Sequence, residues 1–347
     1  MKILGWPARK NAAHNPFQKL LYDAVEQETE ARVAEFSPRA LLARQAPDIL
    51  HLHWPDVFLA AGTGWRFWMR LALLRGILLL ARLRGVKVVW TAHNLQRTDQ
   101  RNGARMRRVF WPWFTGALDG VIYMTRPSSE EAGRLMPALR AVPSAVIPHG
   151  HYGPTMPAVL PEPAGEDARL SLLFFGSITR YKNANRVLKS FLELPPGLAR
   201  LRICGKMSSR SVDTELLELL AQLPADRADE VHFDDRFLPE AELITEIRNT
   251  DLVVFPYSDV LNSGAAIFAL SAGRPLLASD NALFRELQGQ VGPDWIRLIE
   301  GELDGTQLRA ALEAARRLRD SGARPDLSAF DWSRIARQTV AFYDSLR

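Results

Sequence analysis

Residues 174–191 read FFGSITRYKNANRVLKSF, and their pattern is the most specific indication of the fold class in the sequence. An apolar strand runs into Gly176, the loop after it carries Arg180 and Lys182, and a helix is predicted to begin near residues 183–185. A strand that ends in a glycine turn and leads into a helix is typical of a doubly wound α/β unit. Two cations beside the positive end of a helix predict an anion-binding site. The alternative is a surface loop with two solvated cations.

The alternation of short apolar strands and helices extends outward from this stretch in both directions, which predicts parallel sheets covered by helices. The candidate strands are residues 2–6, 48–53, 87–93, 120–125 and 144–149, then 170–176, 201–205, 231–233, 251–256 and 275–279. We therefore predict an α/β fold of two doubly wound, Rossmann-like domains that face each other across a ligand-binding cleft.

A segment rich in proline and glycine sets the predicted domain boundaries. Residues 1–152 form the first domain, residues 153–168 the linker, and residues 169–330 the second domain. Residues 331–347 predict an amphipathic helix, which in this architecture commonly crosses back to the first domain. Its expected apolar face is Trp332, Ile335, Val340 and Phe342.

The composition limits the cellular compartments and the classes of partner that we expect for this protein. A chain of 347 residues with one cysteine, Cys204, allows no internal disulfide, and its first residues lack the apolar core of a secretory signal. We therefore expect a cytoplasmic protein. The formal charge of +5 is compatible with nucleic acid, anionic lipid or a polyanionic small molecule such as a nucleotide. Scattered histidines without His-x-x-x-His or Cys-x-x-Cys spacing predict that no metal is bound.

Two basic and aromatic stretches favour contact with a membrane surface. Residues 65–85 interleave five arginines, among them Arg70 and Arg75, with tryptophan, phenylalanine and leucine, and residues 105–114 have the same ingredients. Neither stretch has the roughly 20 apolar residues needed to span a bilayer. We expect at least one of them to lie in the headgroup layer, at the inner face of the cell membrane. The alternative is that both are ordinary helices whose leucines face the sheet.

A second anion-binding element is predicted at residues 263–265. Ser263, Gly264 and Ala265 follow a strand and open a helix, so their backbone N–H groups can approach a diphosphate closely. Glycine at position 264 leaves room for that approach. With the loop of Arg180 and Lys182, this element predicts a site for a nucleoside diphosphate, whose negative charge grows as it leaves.

Polar and aromatic residues follow two neighbouring strands of the first domain. The string HLHWPD ends one strand at residues 51–56, and TAHN ends the next at residues 91–94. Adjacent parallel strands place these ends side by side. We expect His53, Trp54 and Asn94 to contact the acceptor.

The second domain resembles the donor-binding domain of the family 4-like glycosyltransferases. The resemblance covers residues 165–285 and rests on G-x-x-x-R-x-K-N, then FP-Y-S, then a small-residue helix ending in SAGRPLLAS. It implies the GT-B fold, a nucleotide-sugar donor and no metal cofactor. By position it implies that Arg180 and Lys182 grip the diphosphate and that the backbone of residues 263–265 supports it. It also implies that Arg236 and Phe237 lie against the base.

In the first domain the resemblance extends to three strings. TAHN is similar to the TIHN of starch and glycogen synthases, which implies that His93 contacts the transferred sugar. HLHW is similar to their HAHDW. His149 and Gly150 resemble the family's PNG or PHG turn, which implies a position near the donor phosphates.

One departure from the family bears on mechanism. Retaining members have two glutamates eight positions apart across the donor helix, whereas Val260 and Phe268 occupy those positions here. Neither side chain can hydrogen-bond a sugar, so an inverting enzyme is favoured, similar to the β-mannosyltransferases of xanthan-type exopolysaccharide assembly. That resemblance implies a hexose transfer, with GDP-mannose as the expected donor and a lipid-linked oligosaccharide or other glycan as acceptor. UDP-glucose and UDP-glucuronic acid remain alternatives as donors.

An inverting transfer needs a general base on the acceptor side. Asp56 is the first candidate, Asp99 the second and His93 the third, because all three lie just past strand ends. The alternative is that Asp56 caps a helix after Pro55 and that His51 and His53 are packed strand residues.

Two other functions stay open on the sequence. One is a retaining GT-B transferase or a sugar epimerase that uses a UDP-sugar. The other is a basic protein without catalysis that binds lipid or nucleic acid. The second leaves the strand-end histidines and the loop of Arg180 and Lys182 without a purpose, so we expect no nucleic-acid partner.

Overall fold

The computed structural model describes residues 1–12, 15–60, 64–95, 103–156, 169–207, 213–258 and 260–347. The chain divides into two compact units. The first unit contains residues 1–150 and 328–347, and the second contains residues 151–327.

The first unit is built on a six-stranded parallel sheet in the order β2-β1-β3-β4-β5-β6. Its strands are β1 Lys2–Trp6, β2 Arg32–Glu35, β3 Ile49–Leu52, β4 Lys87–Thr91, β5 Gly120–Tyr123 and β6 Ser144–Val146. Its helices up to residue 150 are α1 Phe17–Glu28, α2 Pro38–Leu41, α3 Pro55–Ala60, α4 Trp65–Leu83, α5 Gly103–Arg105, α6 Trp111–Thr115 and α7 Arg126–Leu135. A π-helical segment, Met106–Phe110, joins α5 to α6, and a 3₁₀ turn, Pro137–Ala141, follows α7.

The second unit has its own six-stranded parallel sheet, in the order β9-β8-β7-β10-β11-β12. Its strands are β7 Leu170–Phe175, β8 Ala199–Cys204, β9 Val231–Asp234, β10 Leu252–Phe255, β11 Leu276–Ser279 and β12 Ile296–Ile299. Its α-helices are α8 Ala184–Leu192, α9 Thr214–Ala221, α10 Glu240–Arg248, α11 Gly264–Ser271, α12 Ala282–Val291 and α13 Gly305–Asp320. Short 3₁₀ turns occupy Gly153–Thr155, Arg180–Lys182 and Ala225–Arg227.

The chain then returns to the first unit through a 3₁₀ turn, Ser328–Phe330, and helix α14, Trp332–Ser345. Helix α14 packs along α1, and its Ile335 and Tyr343 join the core under β1, β3 and β4. Trp332 lies so close to Gly150 that a Cβ there would be 2.3 Å from the indole, so this position requires glycine. The apolar face differs from the predicted one, because Tyr343 is buried while Val340 is only half-buried.

The predicted α/β fold with two doubly wound units is confirmed. All ten predicted strands form within two residues of their expected bounds, except that β6 ends at Val146, three residues before His149. Strands β2 and β12 were not predicted. Both lie at the edge of a sheet, where one side faces solvent and the apolar run is short.

Candidate functional site

The strand order of each sheet identifies where a ligand is expected. In the second unit the order reverses between β7 and β10, and in the first unit between β1 and β3. In open parallel sheets, ligands bind beyond the carboxyl ends of the strands at such a switch point. The loop after β7 and the loop after β10 therefore form the first candidate site, and the residues after β3 contribute to the second.

The loop after β7 turns at Gly176, whose φ of +104° favours glycine. A Cβ on Gly176 would lie 3.2 Å from the Nζ of Lys182, so a larger residue at position 176 would crowd the ammonium group. Behind this turn, a Cβ on Gly205 would lie 1.8 Å from the Gly176 carbonyl oxygen. The ends of β7 and β8 thus touch through two glycines, and Gly205 was not singled out by the sequence.

Lys182 is a half-buried cation in aromatic surroundings. Its Nζ lies 5.0 Å from the ring centre of Tyr257, and burial lowers the pKa of Lys182 to about 8. No carboxylate of the described residues pairs with it. The hydroxyls of Tyr257 and Thr179 are buried and have no hydrogen-bond partner in the described part of the chain. An ammonium and two unsatisfied hydroxyls on neighbouring loops suit an oxyanion.

The loop that carries Lys182 is clamped to the segment after β10. Asn183 adopts a left-handed conformation with φ of 55°, and its Nδ2 donates to the Pro256 carbonyl at 2.6 Å. The Tyr181 carbonyl accepts from the backbone N–H of Ser258 at 2.8 Å and from its hydroxyl at 3.0 Å. The motifs R-x-K-N and FP-Y-S, about 75 residues apart in the chain, therefore form one rigid unit.

Two helix N-termini accompany this loop. Helix α8 begins directly after Asn183, and α11 begins at Gly264 after the N-cap Ser263, whose hydroxyl accepts from the Ala266 N–H at 3.2 Å. The N–H groups of Gly264 and Ala265 have no acceptor within the helix. Ser263, Gly264 and Ala265 thus have the predicted local structure.

The other predicted donor residues of the second unit lie in different surroundings. Arg180 lines a polar cavity of about 490 Å³ with residues of α8 and α9, and Lys182 does not line it. The guanidinium of Arg236 pairs with Asp234 at 3.0 Å and with Glu242 at 2.9 Å. The neighbouring Phe237 is 67% exposed, which leaves its ring face accessible.

In the first unit, the structure brings the ends of β3 and β4 together as predicted. His51 lies opposite Val89 in the parallel register, and the Nδ1 of His53 lies 2.9 Å from the Nε2 of His93. The Trp54 indole packs on the His93 ring with centres 4.5 Å apart.

Three of the remaining candidates lie close by in sequence. Asp56 is buried in the first turn of α3, and Asn94 is exposed after β4. Asp99 lies outside the described residues.

Behind His53 a chain of hydrogen-bonded side chains runs through the core. The Tyr22 hydroxyl lies 2.8 Å from His53 Nε2 and 2.9 Å from His51 Nδ1. His51 Nε2 lies 2.7 Å from the Thr91 hydroxyl, and the Tyr343 hydroxyl lies 2.7 Å from His51 Nδ1. His51, in β3, and His53, directly after it, are therefore packed residues, as the alternative interpretation had it, but they pack through polar contacts.

Burial keeps these imidazoles neutral. It lowers the pKa of His51 to about 3 and the pKa of His149 to about 4, and it holds the pKa values of His53 and His93 well below the usual 6.5. His149 Nδ1 lies 2.8 Å from the Gly150 carbonyl, and its ring lies 4.6 Å from that of Phe17. Three histidines of this unit thus surround the Phe17 ring.

Sequence analysis missed four residues that shape these sites. Asn183, Tyr257, Tyr22 and Tyr343 were not predicted to contribute, because each acts through a contact with a distant part of the chain. Asn183 and Tyr257 stand inside the quoted motifs, so a local signal was present for these two. No group of three His, Cys, Asp or Glu side chains that could hold a metal ion occurs in the described ranges.

No model of a protein family matches the chain. Among solved structures, it resembles sucrose-phosphate synthase from Thermosynechococcus elongatus, with a TM-score of 0.65 at 16% identity over 99% of this chain and 98% of that one. It also resembles HepE of Anabaena, solved in complex with UDP and glucose, with a TM-score of 0.57 at 14% identity over 100% of this chain and 98% of that one. The two Rossmann-like units and these likenesses define the GT-B fold.

The curated relatives identify the family. A GDP-mannose:glycolipid 4-β-D-mannosyltransferase of Xanthomonas campestris pv. campestris is 30% identical over 336 residues, which covers 95% of this chain and 88% of the relative. A second protein of that description, from another strain of the pathovar, is 30% identical over 342 residues. The chain belongs to the family of GDP-mannose:glycolipid 4-β-D-mannosyltransferases.

Proposed function

We propose that the protein transfers mannose from GDP-mannose to a hydroxyl group of a glycolipid and forms a β-linkage. The observation that carries this proposal is the 30% identity to enzymes of that description over 95% of the chain. We further propose that the reaction belongs to exopolysaccharide or cell-surface glycan synthesis.

The second unit is proposed to hold the diphosphate of the donor. The Lys182 ammonium and the Tyr257 hydroxyl offer charge and a hydrogen bond at the switch point of the sheet. The first turns of α8 and α11 add backbone N–H groups and the positive ends of two helix dipoles. These groups stabilise the negative charge that develops on the departing GDP, and the reaction then requires no metal ion.

The proposal also assigns roles in donor binding to the loop arginine, to the loop after β9 and to the histidine after β6. Arg180 acts as the second cation of the loop, and the exposed ring of Phe237 stacks on the guanine base. Arg236, held by Asp234 and Glu242, positions that loop. His149 is proposed to lie near the donor phosphates.

The first unit is proposed to supply the acceptor contacts and the base. GDP-mannose carries its sugar in α-linkage, so a β-linked product requires inversion and a base that takes the proton of the acceptor hydroxyl. Asp56 is the first candidate and Asp99 the second. His53, Trp54 and Asn94 are proposed to contact the acceptor. Val260 and Phe268 fit this scheme, because neither offers the carboxylate found in retaining relatives.

A peripheral position on the inner membrane surface is proposed from helix α4. Its Phe67, Leu71 and Leu74 face the core, while a second apolar stripe faces solvent. The stripe consists of Trp65, Trp68, Met69, Leu73, Leu79 and Leu83, between 48% and 76% exposed. Arginines flank it, and α4 contains no acidic residue. Such a helix suits the headgroup layer of an anionic membrane.

Two details of the sequence prediction change here. Residues 105–114 offer no comparable stripe, because Phe110, Trp111 and Phe114 are buried. Arg70 donates to the Phe58 carbonyl at 2.7 Å, so it ties α4 to α3 and is not a headgroup contact. In the described ranges, no helix is both long enough and apolar enough to pass through a bilayer.

The experiment compares donors with a lipid-linked saccharide as acceptor. Purified protein is incubated with GDP-mannose, UDP-glucose or UDP-glucuronic acid, with and without a chelator, and the product is analysed by NMR. We expect transfer from GDP-mannose alone, a β-anomeric product and no effect of the chelator. Consumption of a UDP-sugar in place of GDP-mannose, or an α-linked product, would overturn the proposal.

The base assignment is tested in the same assay with Asp56→Asn. Turnover is expected to fall by about 10² to 10⁴, the usual scale for loss of general base catalysis, while GDP binding stays as in the parent. Asp344→Asn, a change on the exposed face of α14, is the matched control. Full turnover by Asp56→Asn would leave Asp99 as the candidate.

A further inference from the structure

The hydrogen-bonded chain in the first unit ends on a phenol that has one described partner. Tyr343, from α14, is completely buried, and its hydroxyl lies 2.7 Å from His51 Nδ1 and makes no other hydrogen bond within the described residues. The Tyr22 hydroxyl lies 2.9 Å from the same nitrogen. A neutral imidazole has one lone pair and one N–H, so His51 Nδ1 accepts from only one of these two phenols.

The cost of an unsatisfied buried donor decides which phenol donates. If Tyr22 donated to His51 Nδ1, or if that nitrogen carried the proton, the Tyr343 hydrogen would have no acceptor. A buried donor without a partner costs about 1 to 3 kcal/mol. If Tyr343 donates, His51 Nε2 carries the proton and donates to the Thr91 hydroxyl at 2.7 Å. The hydrogen of Tyr22 is then left for its other neighbour.

The other neighbour of the Tyr22 hydroxyl is His53, which extends the same direction of hydrogen donation. Tyr22 donates to His53 Nε2 at 2.8 Å, which places the proton of neutral His53 on Nδ1. His53 Nδ1 in turn donates to His93 Nε2 at 2.9 Å. His93 Nε2 is therefore the acceptor nitrogen, and the proton of neutral His93 lies on Nδ1.

We infer that Tyr343 fixes the direction of the chain Tyr22, His53, His93, so that neutral His93 is held in the tautomer with its proton on Nδ1 and its lone pair on Nε2. Tyr343, Tyr22 and His53 are positioning residues, and His93 is not the base of the transfer. The consequence of this direction for sugar transfer rests on the proposed function, whereas the direction of the chain follows from the contacts of the first unit alone.

The direction is tested without substrate, by the ¹⁵N chemical shifts of the imidazole nitrogens in protein labelled on histidine. His93 is assigned by loss of its signals in His93→Gln. We expect its Nδ1 to be protonated and its Nε2 to be unprotonated at neutral pH. In Tyr343→Phe and Tyr22→Phe the ordering donor is lost, and we expect the two His93 nitrogens to move toward averaged shifts. A protonated Nε2 in the parent, or unchanged shifts in both variants, overturns the inference.

Controls separate this inference from folding defects and from the proposed activity. Tyr123→Phe removes a buried phenol of the same unit that makes no recorded hydrogen bond in the described structure, and the His93 shifts are expected to stay unchanged. If Tyr343→Phe fails to fold, the parent spectrum and Tyr22→Phe still decide.

In the transfer assay, Tyr343→Phe is expected to lower kcat about 10-fold, the scale of one hydrogen bond, with KM for the donor unchanged. An inactive parent would refute the proposed function and leave the spectroscopic result standing. An active parent with full kcat in Tyr343→Phe would show that the direction of the chain does not affect transfer.

Discussion

The sequence identifies Lys182 as a candidate cation of the site, but it does not show which residues surround the ammonium group. The spacing from Gly176 predicted that it follows a strand and precedes a helix, and both are found. The ring of Tyr257 and the clamp from Asn183 to Pro256 depend on β10 lying beside β7. No pattern within residues 174–191 contains that information.

The pH dependence of GDP binding is expected to report on Lys182. Burial lowers its pKa to about 8, so the ammonium that attracts the diphosphate is complete below that pH and is lost above it. GDP affinity, measured by calorimetry from pH 7 to pH 9.5, is therefore expected to weaken as the pH rises through about 8. Lys182→Ala removes this dependence and costs about 2 to 4 kcal/mol of transition-state stabilisation, measured through kcat/KM.

Lys189→Ala is the matched control for this test. Lys189 lies within α8, whereas Lys182 lies in the turn before that helix. The Lys189 side chain is half-exposed and pairs with Glu215. Its replacement is expected to leave both the affinity and its pH dependence as in the parent. Equal behaviour of the two alanine variants would place the diphosphate away from Lys182.

At the scale of elements, helix α4 combines two faces that the sequence presented as alternatives. The leucines do face the sheet, as in the ordinary interpretation, but only about half of them do so. A helix of 19 residues with apolar side chains on both faces, and arginines between them, buries one stripe in its own unit and leaves the other for a second apolar medium.

Vesicle binding tests the exposed stripe. Leu79→Ser with Leu83→Ser removes two side chains that are 59% and 76% exposed, so folding is expected to be unaffected. Binding to vesicles of phosphatidylcholine and phosphatidylglycerol, measured by flotation, is expected to fall markedly. Arg82→Glu is expected to weaken binding to the anionic vesicles alone, by roughly 1 kcal/mol or more.

Leu217→Ser provides the control on the second unit, because Leu217 is also exposed, at 42%, but stands alone on α9. It is expected to bind vesicles like the parent. A parent that does not float with anionic vesicles, or a double variant that floats as well as the parent, would show that the stripe meets some other surface.

Element type was predicted well where the apolar pattern was long, and poorly at the edges of the sheets. Strand β2, with the sequence RVAE, offers one buried position among four residues. The predicted apolar face of α14 included Val340 and did not include Tyr343. Tyr343 is buried because His51 offers its hydroxyl a partner.

At the scale of the whole molecule, the two units differ in their ionisable residues. The four histidines with lowered pKa values, His51, His53, His93 and His149, all belong to the first unit. Eight of the nine tryptophans also belong to it, and only Trp295 lies in the second. Tryptophan fluorescence therefore follows the unfolding of one unit almost exclusively.

This asymmetry predicts that acid destabilises the first unit selectively. In the unfolded chain these histidines take up protons below about pH 6.5, whereas in the folded unit burial keeps them neutral well below that pH, with a pKa of about 3 for His51 and about 4 for His149. Their contribution to stability is thus complete above pH 6.5 and declines as the pH falls. Protonation of His51 and His149 in the unfolded chain alone is expected to cost about 3 kcal/mol of stability per pH unit between about pH 6 and pH 4.

The measurement is urea unfolding at pH 7.0 and pH 5.5, followed by tryptophan fluorescence. We expect the midpoint to move to lower urea at the lower pH. His232→Gln, a change at an exposed histidine of the second unit, is expected to leave this shift unaltered. A midpoint that does not respond to pH would contradict neutral burial of the histidines.

Because helix α14 belongs to the first unit, the synthesis of that unit ends only after the second unit has been translated. The first unit is started first, yet residues 328–347, which complete its core and supply the Tyr343 hydroxyl, are translated after the whole second unit. A nascent chain of residues 1–150 therefore exposes the groove along α1 and leaves His51 without its donor while translation continues. The second unit is contiguous and can fold earlier. A released chain that ends at residue 327 is expected to contain a folded donor unit and an acceptor unit that is still open to chaperones and proteases.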